Sequence, residues 1–269
     1  MPLVSADQPT KNKIGAFIGG AGIGTLGGLI GLGGAEFRLP LLIGVFRFVA
    51  LEAVIVNKAM SLIVVASSLP FRTSTVSLET IASHWTVIVN LLAGSLIGAW
   101  VGASWATRLK SETLYRVLAT LLVCIAVVLV AGHGAESGGH AMISGNLQII
   151  AGIVAGFLIG IVASLMGVAG GELLIPTLIL LFGADVKLAG SLSLAVSLPT
   201  MLVGFARYSR DSTFAVLSRN RWFVLAMAVG SIVGSFIGAT LLGIVPETIL
   251  LPGLAAILLI SAIKVWRHQ

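Results

Sequence analysis

The feature that most constrains this chain is a succession of long, uncharged apolar runs, among them residues 84–106, 147–166 and 246–266. Each is close to the roughly 20 residues that carry a helix across about 30 Å of hydrocarbon. Backbone polar groups in lipid have no water to bond, so such runs must be helices or the strands of a closed barrel. Barrel strands alternate apolar and polar residues over about ten positions, and a run such as "LATLLVCIAVVLVAG" does not alternate. The chain reads as an all-α polytopic membrane protein. Its composition agrees: 10% of residues are charged, against about 25% in an ordinary soluble domain.

The net charge of +6 raises nucleic acid as a partner, but its placement argues for topology instead. Lys11 and Lys13 precede the first apolar segment; Arg108, Lys110 and Arg116 fall between two others; Arg207, Arg210, Arg219 and Arg221 form a third group; Lys264 and Arg267 close the chain. Clusters of this kind flank spans on the cytoplasmic side. The polar start, "MPLVSADQPTKNK", leads into a segment without a convincing cleavage site, which reads as retained rather than as a signal peptide. Cys124 stands alone, so no intramolecular disulfide is expected.

The chain also repeats itself. A shift of 136 residues lays "GLGGAEFRLP" (31–40) on "GVAGGELLIP" (167–176), Ser61 on Ser197, and Gly94, Gly98 and Gly102 on Gly230, Gly234 and Gly238. The expected organisation is an N-terminal repeat over 1–131, an external connection over 132–146 and a C-terminal repeat over 147–269. Each half divides into five segments: 14–33, 37–50, 53–71, 84–106 and 113–131, then 147–167, 173–183, 187–206, 222–242 and 246–266. Ten membrane-embedded segments result, eight full spans and two short ones. An odd number per half inverts the second repeat and puts both termini and the basic loops on the cytoplasmic side. The short second segments barely reach across, so they are either re-entrant or tilted.

The repeated stretch is where chemistry is expected. Its glycines loosen the helix and its proline removes a backbone donor, next to Glu36 and Arg38 in the first copy and Glu172 in the second. Transporters built from inverted repeats use such interrupted helices, whose freed N–H groups face an anionic substrate. Gly33, Gly34, Gly170 and Gly171 would supply those amides. Arg38 offers a planar fork to an oxyanion, and Glu36 and Glu172 can carry protons at low dielectric. Asn57 with Ser61, and Ser193 with Ser197, lie four apart and share helix faces, giving hydroxyl and amide donors. Bland readings stand beside these: glycines for close packing, an Arg38–Glu36 ion pair, and interhelical hydrogen bonds from the serines. The runs Gly94/Gly98/Gly102 and Gly152/Gly156/Gly160 are packing faces. "GIGTLG" (22–27) lies inside an apolar helix without the strand that a dinucleotide site needs. His133, Glu136 and His140 read as an external loop rather than a metal site. No catalytic motif appears, so an enzyme is disfavoured and no cofactor is expected.

The stretches "GLGGAEFRLPLL" and "GVAGGELLIPTLIL", each followed by a serine-rich segment, "NKAMSLIVVASSLP" and "GSLSLAVSLPTMLVG", resemble the sulfite exporter TauE/SafE family over nearly the whole chain. The resemblance implies a bacterial inner-membrane permease or exporter of small sulfur-containing anions such as sulfite, sulfoacetate or other sulfonates, driven by an ion gradient. The first copy departs from the second by carrying Ala35 where the second has Gly171. An anion channel, or a transporter of another small carboxylate, is the alternative. The expected partners are a small anionic substrate and the lipid bilayer, with a homo-oligomer open and nucleic acid not expected.

Overall fold

A computed structural model describes residues 12–30, 34–72, 77–131 and 144–241, together with 259, 262, 263 and 265. Among them there are helices and no strands. In chain order they are α1 (Lys13–Ile30), α2 (Ala35–Gly44), α3 (Ala50–Arg72), α4 (Leu78–Ser83), α5 (Trp85–Ala106) and α6 (Ser111–Ala131). These are followed by α7 (Asn146–Met166), α8 (Gly171–Phe182), α9 (Val186–Tyr208), a 3-10 turn (Ser212–Ala215), α10 (Val216–Arg219) and α11 (Arg221–Leu241). Most of the expected last segment, 246–266, and the connection with His133, Glu136 and His140 lie outside the described residues.

Among the described residues, four helices are long and apolar enough to cross a membrane: Trp85–Ala106, Asn146–Met166, Leu188–Tyr208 and Arg221–Gly238. Their outer faces are greasy, as lipid contact requires. Trp85, Val89, Ile97 and Trp105 are exposed on α5, and Leu147, Ile150, Val154 and Leu158 on α7. Trp85 and Trp105 sit about 30 Å apart at 1.5 Å per residue, the spacing of two interfacial tryptophans.

The small-residue runs are the seams of the bundle. Gly94, Gly98 and Gly102 of α5 meet the main chain of Ile153, Phe157 and Ile161 of α7, while Gly156 and Gly160 of α7 meet Leu91 and Ser95 in return. A Cβ at any of them would overlap backbone, so glycine is required by the close approach. The other seam joins α1 to α11: Gly20 and Gly24 meet Met227 and Ser231, and Gly230 and Gly234 meet Phe17 and Ala21. "GIGTLG" is part of this seam, inside α1.

The contacts also fix helix directions. Residue numbers rise together along α5 and α7 and along α1 and α11, so both pairs run parallel. Between α3 and α9 they run oppositely, with Lys58 beside Gly204 and Val65 clustered with Leu194 and Leu198. The short helices double back. Leu41 and Phe46 lie against Gly19, so α2 returns alongside α1. Gln148 bonds the Leu181 carbonyl at 2.6 Å, so α8 returns alongside α7. Both were expected as short segments. They start two residues earlier than expected, at Ala35 and Gly171, because a left-handed glycine, Gly34 (φ 66°) or Gly170 (φ 81°), turns the chain into each helix. α2 ends at Gly44, well before residue 50, in a turn where Arg47 is itself left-handed (φ 52°).

Candidate functional site

The two breaks meet in the interior. In the second, α7 stops at Gly167 (φ 69°) and α8 starts after Gly170. In the first, α2 starts after Gly34, while Gly33 lies outside the described residues. Each short helix carries its glutamate as the second residue and its proline as the sixth. That spacing has a local consequence. A helical N–H bonds the carbonyl four residues back, and proline has no N–H, so Pro40 and Pro176 release the main-chain carbonyls of Glu36 and Glu172 themselves.

Glu36 and Glu172 are both buried, and their carboxyl groups are close enough to interact with each other. Apart from this contact with each other, neither oxygen of Glu172, and only one of the two of Glu36, has a hydrogen-bond partner among the described residues. Buried polar atoms are nearly always paired, so three such oxygens in one place mark a site where a proton or ligand completes the bonding.

Arg38, one helical turn into α2, is fully buried. Its Nη1 donates to Asn57 Oδ1 at 3.4 Å and to Ser61 Oγ at 3.3 Å, and its Nη2 donates to Ser231 Oγ at 3.4 Å. The guanidinium thereby links α2 and α3 of the first half to α11 of the second. Asn57 also spans both breaks, since its Nδ2 donates to the Ala35 carbonyl and to the Met166 carbonyl, each at 3.0 Å. Ser61 Oγ donates to the Gly167 carbonyl at 3.2 Å. Asn57 and Ser61 therefore spend their donors on carbonyls freed by the second break, or at the start of α2, and present their oxygens to Arg38.

Ser193 and Ser197 occupy the equivalent face of α9 and are buried. Ser193 Oγ bonds Gly190 of its own helix at 2.9 Å rather than joining the Arg38 group. Of the residues that sequence reasoning brought together, Gly34, Glu36, Arg38, Asn57, Ser61, Gly170, Gly171 and Glu172 stand on or beside helices that the structure gathers at one place, Ser193 and Ser197 lie on α9 outside the Arg38 hydrogen bonds, and Gly33 lies outside the described residues.

Three residues of this interior were given no individual role in the sequence, although Lys58 counts among the polar residues of its segment that could line a cavity. Lys58 is fully buried and donates to the Ala163 carbonyl at 3.0 Å and the Val168 carbonyl at 3.4 Å, placing an ammonium at the C-terminal end of α7, where such charge is favoured. Ser231 receives Arg38, and its counterpart Ser95 bonds Thr200 Oγ1 at 2.7 Å. A lysine amid apolar residues was visible as a signal, because an ionisable group inside a span is expensive. Single serines carried no such signal. No group of three or more His, Cys, Asp or Glu side chains gathers among the described residues.

Neither the curated proteins nor the solved structures contain a match to this chain. A family model described as sulfite exporter TauE/SafE matches residues 16–265, a stretch that takes in both breaks, both glycine seams and the buried Arg38. A chain matched over nearly its whole length, all-helical and with several apolar spans, is a multi-pass membrane protein and belongs to the sulfite exporter TauE/SafE family.

Proposed function

We propose that this protein is a secondary transporter that exports small sulfur-containing anions, such as sulfite, sulfoacetate or other sulfonates, by proton-coupled alternating access across a bacterial inner membrane. The observation that carries the reading is a buried guanidinium, shared between the two halves, beside two buried carboxyl groups at two helix breaks. Arg38 supplies charge and a donor fork to the oxyanion. Asn57 and Ser61 hold Arg38 in place; the first-turn amides after Gly34, and at Gly170 and Gly171, face the anion with Ser193 and Ser197. Glu36 and Glu172 take up the protons that offset its charge.

Ten segments in two inverted repeats fit this mechanism. The opposed directions of α3 and α9, and the two hairpins α1–α2 and α7–α8, support an inverted pair, in which one group of helices rocks against the other around a fixed site. Lys13, Arg207, Arg210, Arg219 and Arg221 belong to the face where α1 and α11 begin and α9 ends, and the positive-inside rule makes that face cytoplasmic, with both termini on it.

The test is flux of labelled sulfite and sulfoacetate in proteoliposomes, with and without an imposed pH gradient. Wild-type protein is expected to give saturable flux that the gradient drives, and Glu36→Gln and Glu172→Gln are each expected to lose the gradient-driven part. Equal flux in wild type and both variants would remove the glutamates from coupling. Unitary conductance in a planar bilayer would replace alternating access with a channel.

A further inference from the structure

The 136-residue register that relates the two halves has an unequal outcome at their outer ends. Where α8 turns into α9 beside the start of α5, the structure has a cavity of about 430 Å³ whose lining includes His84, Val87, Phe182, Asp185, Leu188 and Leu192. Subtracting or adding 136 gives the equivalent positions at the other end, where α2 turns into α3 beside the start of α11: Asn220, Phe223, Phe46, Val49, Glu52 and Val56. The backbone turn is shared, since Gly183 (φ 69°) and its counterpart Arg47 (φ 52°) are both left-handed. The filling is not.

At this second end the space is closed by aromatic rings. Phe46 and Phe223 meet edge-on with centroids 4.8 Å apart, and Phe48 and Phe223 lie 5.4 Å apart. Arg219 Nη2 donates to Glu52 Oε1 at 2.8 Å across the same turn. Phe48 and Val56 are buried beneath. Among the differences between the two ends, two remove an aromatic ring from the hollow one: Phe223 stands where the other half has Val87, and Phe48 where it has Ala184.

We infer that the cavity at the α8–α9 turn is the open vestibule through which a small hydrated anion exchanges with the medium, and that the Phe46–Phe48–Phe223 cluster, clasped by Glu52–Arg219, is the closed gate of the opposite face. The inference rests on the alternating-access reading, which demands that one entrance be sealed while the other is open. The sealed face is the one with the basic clusters. Aromatic pairs suit a gate because they exclude water over a large area while each contact is worth only about 0.5–1.5 kcal/mol beyond burial, and the exposed ion pair adds at most about 1 kcal/mol. The two faces are thus distinguished by side chains, on a turn whose main chain is the same.

The experiment measures cysteine modification by a charged, membrane-impermeant methanethiosulfonate in membrane fragments open to both faces, in a Cys124→Ser background. Leu188→Cys, in the vestibule, is expected to react at least about tenfold faster than Val56→Cys, because a residue behind a gate reacts only in the minor open state, of the order of 10% or less. Phe223→Val with Phe48→Ala copies the hollow end onto the sealed one, and should raise the rate at Val56→Cys toward that at Leu188→Cys. The reverse change, Val87→Phe, should protect Leu188→Cys. Equal rates at the two cysteines in the starting background would overturn the inference. So would an unchanged rate at Val56→Cys in a widened protein that still labels normally at Leu188→Cys. Labelling involves no substrate, so its failure is distinct from an absence of sulfite or sulfoacetate flux, which would count against the substrate class and leave the gate standing.

Discussion

The two helix breaks share a backbone plan and differ in charge. Each has a left-handed glycine before a short helix, a glutamate in second place and a proline in sixth. The first adds Arg38, which reaches Asn57, Ser61 and Ser231; the second has Leu174 at the same place, buried in an apolar cluster. The repeat supplies two sites able to expose backbone and carboxyl groups, but only the first carries a basic side chain on its short helix; the second receives Lys58 from α3, whose Nζ donates to the Ala163 and Val168 carbonyls. Both buried basic side chains therefore come from the first half, Arg38 from α2 and Lys58 from α3.

Exchanging the residues tests this most severely. Leu174→Arg introduces a charge where the cluster of Leu178, Leu192 and Val196 offers nothing polar to receive it, and a buried charge without a partner is expected to cost about 3–5 kcal/mol. That is a large share of a typical total stability of about 5–15 kcal/mol, so the variant should fail to give a monodisperse peak in detergent. Arg38→Leu makes the first break like the second. It should fold, with a loss of about 1–3 kcal/mol as Asn57, Ser61 and Ser231 lose a donor, and show no anion flux. Retained flux in Arg38→Leu would move the anion site elsewhere.

The glycines of the breaks sharpen the comparison next. At Gly167 a Cβ would run into the Val54 carbonyl, in addition to the left-handed backbone; Gly167→Ala is expected to cost about 2–5 kcal/mol, from about 1–2 for the conformation and about 1–3 for overpacking. At Gly170 the nearest atoms are the Ala163 methyl at 3.2 Å and an Ile159 methyl at 3.3 Å. Gly170→Ala should stay near the conformational term alone. Thermal unfolding followed by tryptophan fluorescence would rank the two.

The interior became legible from the sequence wherever the duplication left a mark. The shift of 136 residues located both breaks, and four-residue spacing of glycines located the α5–α7 seam and the α11 side of the other, because close helix approach demands small residues at fixed intervals. Asn57 and Ser61 were singled out correctly as polar residues on one face, but their partners were not foreseeable, since those partners are main-chain carbonyls more than 100 residues away, as in Asn57 to Met166 and Ser61 to Gly167. Lys58 has Leu194 as its counterpart, so the repeat itself gave it no weight. The gate escaped for a related reason. Phe46, Phe48 and Phe223 are ordinary apolar residues, and their meaning depends on the hollow that their counterparts leave at the other end.

The smallest expected effect, at Ser193, stands opposite a larger one at its paired position Asn57. Asn57 holds Ala35 of the first break and Met166 of the second with one amide group, so Asn57→Ala leaves two buried carbonyls without that donor and should cost about 2–3 kcal/mol. Ser193 bonds a carbonyl of its own helix, a contact that is already served by the helix ladder, and Ser193→Ala should cost no more than about 0.6 kcal/mol, the mean of interhelical hydrogen bonds in bundles. Melting temperatures of the two variants and of the double variant would decide whether the halves are held together from one side. If Ser193→Ala were as damaging as Asn57→Ala, α9 would clamp the breaks as α3 does, and the brace would be shared by both halves. If the costs separate as expected, the first half carries both the cation and the brace that positions it, and the second half supplies the carbonyls that brace acts upon.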